Sequence, residues 1–240
     1  MSTTVKPYAQ EGSKREQVEQ MFDRISPKYD LLNRLLSMGT DQGWRRKVIR
    51  LLGQEPVGQL LDVATGTADL AIMASKVAKQ VTGADISAGM LEHGRAKVEK
   101  AGLADRITLV QADAADLPFP DNTFDAITVA FGVRNFEDLH RGIRGMARVL
   151  RPGGRLFVLE FSQPRTTPFK QIFRFYFHHI MPLIGRLVSK DEAAYTYLPE
   201  SVDAFPQGKE FELILQECGL REVRSRQLTF GVATLYTARK

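Results

Sequence analysis

From residue 57 to the end of the chain, short runs rich in β-branched and other apolar residues take turns with longer stretches in which apolar residues recur every three or four positions. The runs VGQLLDVA, QVTGAD, RITLVQAD, FDAITVAF and RLFVLEFS read as strands, and the spacing predicts helices over 69–79, 87–101 and 137–150. Strands that alternate with helices predict an α/β fold with a doubly wound parallel sheet. The end of the chain departs from this rhythm. After a helix predicted over 209–218, the runs EVRSRQLTF and VATLYTAR are separated by only a turn at Gly231. So short a link permits a hairpin and forbids a right-handed crossover, so the last of seven strands should be antiparallel.

Two segments lie outside this core. In residues 1–53, read as a helical extension, Val18, Met21, Phe22 and Ile25 share one helical face stopped by Ser26 and Pro27, and Trp44, Val48, Leu51 and Leu52 share another. Residues 54–240 form the main domain, with a helical insertion over 164–200 that is long for a connection and therefore calls for a role. Within it Phe169, Ile172, Phe173, Tyr176, Phe177 and Ile180 fall on a single helical stripe, while Lys170, Gln171, Arg174 and His178 lie off it.

Composition narrows the picture further. With 240 residues, 43% hydrophobic and 25% charged, the chain suits one globular domain with appended helices. No apolar stretch approaches the roughly 20 residues that cross a bilayer, and the N-terminus lacks a signal-peptide core, so a cytoplasmic protein is expected. The single cysteine, Cys218, allows no internal disulfide and reads as core filler; no metal ligand set is visible. Of the net charge of +5, most sits in residues 1–53, where ten Lys/Arg face six Asp/Glu. Such a segment can meet phosphate groups or simply present a solvated face.

The candidate chemistry lies in the loops that follow the strands, where doubly wound sheets bind ligands. In LLDVATGTADL the turn has one glycine, Gly66, with Ala68 where many such turns have a second. Backbone N–H groups at a helix start accept any anion or polar edge, so the turn alone separates neither nicotinamide dinucleotides nor S-adenosylmethionine. Asp62, ahead of the glycine, would repel a pyrophosphate but accepts a hydrogen bond from a cationic amino-acid group. Asp85, 19 residues beyond Gly66, suits ribose hydroxyls of either ligand. Asp113 and the N–H of Ala114 can read the edge of adenine. Asp125 and the turn Pro152-Gly153-Gly154 follow in the same order along the chain. Taken together, these positions favour S-adenosylmethionine. Six parallel strands and one antiparallel strand are also the arrangement of class I methyltransferases, Rossmann-like in topology.

The segments YDLLNRLLS with Trp44 downstream, LPFPDNTFDAITVAFGVRN, and RVLRPGGRLFVLEFSQP followed by YTYLPESVDAFP closely resemble the ubiquinone/menaquinone biosynthesis C-methyltransferases, from Phe22 to Lys240. The resemblance implies methyl transfer from S-adenosylmethionine to a ring carbon of a polyprenylated quinol, demethylmenaquinol first and a methoxy-benzoquinol second. It also implies cofactor contacts at Thr67, Asp85, Asp113 and Ala114. Two positions depart from the family pattern: Asp41 stands where many members have histidine, and Ala68 where most have glycine, adding a methyl near the cofactor.

A ring carbon attacks only once a neighbouring hydroxyl loses its proton. With a phenolic pKa near 10, that costs about 4 kcal/mol at pH 7. Arg134 and Asn135, directly after the fourth strand, are the candidates to stabilise the oxyanion and hold a water that takes the proton; the plain alternative makes Asn135 the cap of the next helix. Tyr29, Asp30, Asn33, Tyr195 and Tyr197 are candidates for the quinol pocket. GVRN replaces the (N/D)PP(Y/F) element of nucleobase methyltransferases, so no nucleic-acid substrate is expected. The stripe over 169–180 suits a cover for the prenyl tail, a peripheral membrane contact, or a packed lid. A homodimer is the default assembly. Rival readings are a methyltransferase for another small acceptor, a nicotinamide oxidoreductase, and a non-catalytic scaffold of the same fold.

Overall fold

The hydrophobic runs become one seven-stranded sheet in the computed structural model, which describes residues 5–8, 11–180 and 192–240, without the side chains at 35, 36, 178 and 192–195. The strands are β1 (Val57–Val63), β2 (Ala78–Asp85), β3 (Ile107–Gln111), β4 (Phe124–Ala130), β5 (Leu150–Phe161), β6 (Arg221–Leu228) and β7 (Ala233–Arg239). Their order is β3-β2-β1-β4-β5-β7-β6, with β7 antiparallel to both neighbours, as the short link at Gly231 requires. The helices are α1 (Lys14–Ile25), α2 (Tyr29–Leu36), α3 (Thr40–Leu52), α4 (Asp69–Ala74), α5 (Ala88–Lys100), α6 (Leu139–Val149), α7 (Phe169–Phe175), α8 (Glu192–Ala204) and α9 (Lys209–Glu217).

The central strands are apolar on both faces because helices cover both. On one side Leu61, Ile127 and Val158 pack with Ile143 and Met146 of α6 and Phe211 and Leu215 of α9. On the other, Leu60, Val81 and Leu235 pack with Val48 and Leu52 of α3 and Ala71 and Ala74 of α4. A third cluster gathers α1, α2, α7 and α8 through Val18, Met21, Leu32, Phe173, Phe177, Tyr197 and Val202. That third cluster roofs the carboxyl ends of β1, β4 and β5.

Local signals explain several boundaries. Ser13 and Glu16 form a reciprocal capping box at the start of α1. Ser87 caps α5 by accepting from the N–H of Met90. Three expectations need correction. The helix predicted over 69–79 ends at Ala74, since the next residues turn and Ala78 already pairs with Val57 in the sheet. The periodic reading passed over α2. The stripe over 169–180 is not one regular helix: α7 stops at Phe175 and residues Tyr176–Ile180 form a wider π turn. Phe173 and Phe177 are buried, while Phe169, Ile172 and Ile180 are exposed. Cys218 is a buried thiol, pushed above its ordinary pKa by that burial.

Candidate active site

Three of the acidic positions converge where β1, β2 and β3 end. Asp62, only 1% exposed, accepts hydrogen bonds from the hydroxyls of Thr65 at 2.7 Å and Thr128 at 2.6 Å. Burial outweighs both bonds and pushes its pKa up to about 6. Asp85 accepts from the N–H of Gly66 at 2.8 Å and of Ser87 at 2.9 Å, so the 19-residue spacing is a direct tie between the turn and the second strand. With a third backbone bond from Ile86, its carboxylate still keeps acceptor capacity for a ribose hydroxyl. Asp113 accepts from the N–H of Ala115 at 2.8 Å and pairs with Arg15 of α1 at 2.8 Å. Ala114 lines the same cleft as Gly66, Asp85, Asp113 and Asn135.

The turn itself is left-handed three times, at Ala64 (φ +52°), at Gly66 (φ +56°) and lastly at Ala68 (φ +65°). An alanine there costs about 1–2 kcal/mol that glycine would not. Its methyl is fully buried against α5, 3.4 Å from where a Cβ on Gly94 would stand, and does not reach the cofactor cleft; the departure is one of backbone strain. Asp125 and Pro152-Gly153-Gly154 belong elsewhere, and the latter is not a turn ahead of β5 but lies within it, where the pairing with β4 shifts register. Asp125 accepts from the N–H groups of Gly58 and Gln59 at the opposite end of the sheet and binds the start of β1 to β4.

Helices from the extension close over the turn. Thr67 donates to Asp30 at 2.6 Å, and Lys97 of α5 pairs with both Asp30 at 2.8 Å and Asp69. Asp30 therefore fastens α2 to the glycine turn, and it does not line the large cavity beside it. That cavity, about 280 Å³, is walled by Phe22, Leu32, Trp44, Phe131, Phe161, Phe173 and Phe177. The rings of Phe131 and Phe161 lie 4.5 Å apart at 32°, with Trp44 about 6 Å from each. Tyr29 lines the aromatic cavity, the cleft at Asp85 and Asp113 and the small cavity at the glycine turn, so it stands where the three meet. Burial holds its hydroxyl above the usual pKa, against a hydrogen bond to Asn33 and the nearby charges of Arg45 and Arg134.

Arg134 follows β4 in a 3-10 turn and is anchored on every side. It pairs with the fully buried Glu160 at 2.8 Å, donates to Ser201 at 3.3 Å and to the carbonyl of Phe131, and lies 5.6 Å above the Phe161 ring. Asn135 is buried, and its Oδ1 has no partner among the described residues. The cap of α6 is Asp138, which accepts from the N–H of Arg141, so the capping alternative for Asn135 falls away. Tyr197 and Asn33 line the aromatic cavity, and the Tyr197 hydroxyl is buried without a partner among the described residues, its pKa raised by that burial. The side chain of Tyr195 lies outside the described residues.

Sequence reasoning missed Arg45, Lys97, Arg15 and Glu160 as parts of this site. Glu160 carried a signal: a carboxylate inside the apolar run RLFVLEFS must find a partner when it is buried. The cofactor's requirements fit what is present, with carboxylates for ribose and for an amino-acid ammonium, an acidic residue and a backbone N–H for adenine, and, beside these cavities, Asn135 Oδ1 and Arg45 Nε, both buried and without a partner among the described residues.

Comparison with known proteins gives the same answer independently. Demethylmenaquinone methyltransferase of Bacteroides fragilis is 50% identical over 238 residues, 98% of this chain and 97% of that protein. The ubiquinone/menaquinone biosynthesis C-methyltransferase UbiE of Geobacter sulfurreducens is 46% identical over 95% of this chain and 90% of its own length. Among solved structures, an S-adenosylmethionine-dependent methyltransferase of Aquifex aeolicus has a TM-score of 0.57 at 21% identity, covering 81% of this chain and 88% of its own. One from Methanococcus maripaludis has a TM-score of 0.61 at 19% identity, covering 97% of both chains. These two likenesses establish the fold. Since a model of the ubiE/COQ5 methyltransferase family matches residues 10–240, and with them the sheet, the glycine turn and the helices that roof it, this chain belongs to that family of S-adenosylmethionine-dependent methyltransferases.

Proposed function

We propose that this enzyme methylates a ring carbon of a polyprenylated quinol, with demethylmenaquinol the acceptor in menaquinone biosynthesis. The observation that carries the reading is the aromatic cavity itself. It is deep, lined by stacked rings, and joined through Tyr29 to the turn that seats the cofactor. Flat aromatic walls suit a fused quinol ring. S-adenosylmethionine supplies an electrophilic methyl group on a sulfonium.

The chain's task is to make the ring carbon nucleophilic. Arg134 is held against the cavity by Glu160, Ser201 and the Phe131 carbonyl, so its guanidinium needs no reorganisation when charge develops on a quinol oxygen. A cation about 4 Å from an oxyanion contributes roughly 4 kcal/mol at an effective dielectric of 20. That matches the roughly 4 kcal/mol needed to ionise a phenol at neutral pH. Glu160 offsets part of it, which leaves a role for a water that takes the proton; the orphan Oδ1 of Asn135 would hold it from the adjoining cleft, which meets the aromatic cavity at Tyr29 and Phe131. Tyr197 and Asn33 supply further polar contacts to the ring oxygens.

The mouth of the cavity supports delivery from a bilayer. Met38 (77% exposed), Ile172 (61%) and Phe230 (66%) line the cavity and yet face outward, and Phe169 stacks on Phe230 at 4.1 Å. Exposed Lys170 and Arg174 flank them on the same helix. An apolar rim with basic neighbours suits a peripheral contact with an anionic membrane surface, the site at which a prenylated quinol is available.

The test is direct. Purified protein with S-adenosylmethionine and chemically reduced demethylmenaquinone should yield a product heavier by one methylene in mass spectrometry. Arg134→Lys should lower kcat at least about tenfold, equivalent to ~1.4 kcal/mol of barrier. Turnover of reduced benzoquinols in place of the naphthoquinol would redirect the reading to ubiquinone biosynthesis. Absence of turnover on any quinol, with cofactor bound, would refute it.

A further inference from the structure

Arg45 of α3 forms the partition between two spaces. One is the aromatic cavity; the other is the small cavity at the glycine turn, lined by Asp62, Thr65, Gly66 and Thr67. The residue is 6% exposed, and its guanidinium lies 5.5 Å over the Phe131 ring. Its Nη1 donates to Asp41, which in turn accepts from the Ser37 hydroxyl at 2.7 Å. Nε is buried and has no partner among the described residues. A guanidinium carries five N–H donors, and a buried donor left unmade loses its hydration with nothing in return, the more so when the group is charged. Such a defect in a native protein points to an acceptor that arrives with a ligand.

The surrounding charges say which acceptor. The cavity at the turn holds Asp62 and Asp69, and Asp85 lies just beyond. Of the cations nearby, Lys97 is taken by Asp30 and Asp69, Arg134 by Glu160, and Arg15 by Asp113. An amino-acid zwitterion entering here brings an ammonium, for which Asp62 is placed, and a carboxylate, for which the acidic residues have nothing to offer. Arg45 is the cation on that wall. We infer that Arg45 receives the carboxylate of the cofactor's methionine arm, and that Asp41 is the positioning residue that fixes its guanidinium for that contact.

The inference rests on the glycine turn as the cofactor's seat, and not on the identity of the methyl acceptor. It also gives a reason for the pair Asp41–Arg45: a carboxylate on one edge of the guanidinium leaves its remaining N–H groups as a fork for a second carboxylate. A lysine, one point charge with no fixed fork, should replace it poorly.

The test uses binding rather than turnover. By calorimetry, the whole protein would be titrated with S-adenosylhomocysteine, with its decarboxylated analogue, which keeps the ammonium, and with 5′-methylthioadenosine, which lacks the amino-acid arm. In the wild type, S-adenosylhomocysteine should bind at least about tenfold more tightly than the decarboxylated analogue. Arg45→Met should remove that preference by weakening S-adenosylhomocysteine at least about tenfold, while the two other ligands bind as before. Asp41→Asn should give an intermediate loss confined to the carboxylate-bearing ligand. Because Arg45→Met leaves Asp41 buried without its cation, Arg45→Met/Asp41→Leu serves as the folded control, since removing both members leaves no orphan charge. Equal weakening of all three ligands, or an undiminished preference in either variant, would overturn the inference. Failure of the wild type to bind any of them would instead overturn the seat.

Discussion

Asp62 carries a cost that the free enzyme should be able to shed. Its carboxyl is 1% exposed, receives two threonine hydroxyls, and still has its pKa raised from 3.8 to about 6. A folded-state pKa above the unfolded one means that the folded protein holds the extra proton between those values. Its stability contribution is therefore full below about pH 4 and is lost as pH rises through about 6. The loss amounts to roughly 2 pKa units, or about 3 kcal/mol at neutral pH. Asp62→Asn removes the charge and keeps the size, giving back about 1 kcal/mol for one weakened hydroxyl bond. Without ligand, the variant should be about 1–2 kcal/mol more stable than wild type at pH 7.5. That is several degrees in Tm for a chain of this length. Near pH 4 the advantage should vanish or reverse. The assay is urea unfolding of both proteins at pH 4, 5, 6 and 7.5, and calorimetric titration with S-adenosylhomocysteine at pH 7.5. There the variant should bind at least tenfold more weakly, having lost the partner of the ammonium. A stability difference that does not change between pH 4 and 7.5 would refute the reasoning, since the burial cost would then not lie in the carboxylate's ionisation.

Three further outcomes follow from the same structure. A Cβ on Gly145 of α6 would stand 2.3 Å from the Ala114 carbonyl oxygen, which is backbone and cannot swing aside, so Gly145→Ala should raise the KM for S-adenosylmethionine through the displaced Ala114 N–H, as steady-state kinetics at saturating quinol would show. Lys14 is buried, with its pKa lowered to about 8 chiefly by desolvation, and its ammonium donates to the carbonyls of Arg134 and Phe136. A lowered lysine pKa makes stability rise with pH between about 8 and 10.5, so denaturation at pH 8 and pH 10 should show wild type gaining on Lys14→Met across that interval. Replacing Ile172 and Phe230 by serine should lower co-flotation with vesicles containing anionic lipid, with Tm unchanged, because both side chains are more than half exposed.

The sheet and the positions of its strand-end aspartates were legible because both depend on local pattern. An apolar run that closes on Asp62 or Asp85 marks a strand end regardless of the rest of the chain. What joins those residues was not legible. Arg15 meets Asp113 across 98 positions and Asp30 meets Thr67 across 37, and no periodicity encodes which surface cation will lie over which loop. Asp125 was legible as the residue that enters the fourth strand, but it was counted with the cofactor positions, and its carboxylate instead binds the backbone where β1 and β4 begin, a tie that no local pattern encodes. Along 169–180 the spacing was right about the apolar face as far as Phe177, since Phe169, Ile172, Phe173, Tyr176 and Phe177 all line the aromatic cavity, and wrong about one regular helix, since after the π turn Ile180 no longer joins that wall.

The division of labour in the molecule explains why a scaffold shared with distant methyltransferases can serve a bulky apolar acceptor. Asp62, Asp85 and Asp113 stand on or just beyond strand ends, so the candidate cofactor contacts rest on the sheet itself. The aromatic cavity is built otherwise: Phe131 and Phe161 come from strand ends, but Phe22, Leu32 and Trp44 come from α1, α2 and α3, and Phe173, Phe177 and Tyr197 from the insertion. Neither set of helices closes the space alone, because Val18, Met21 and Leu32 bury their apolar faces against Phe173, Phe177 and Val202. The roof is also tied down at the cofactor, through Asp30 to Thr67 and Lys97 and through Arg15 to Asp113. Acceptor recognition and cofactor seating are thus coupled through the same helices, and a change that loosens α1 or α2 should register at both ligands even when it touches neither.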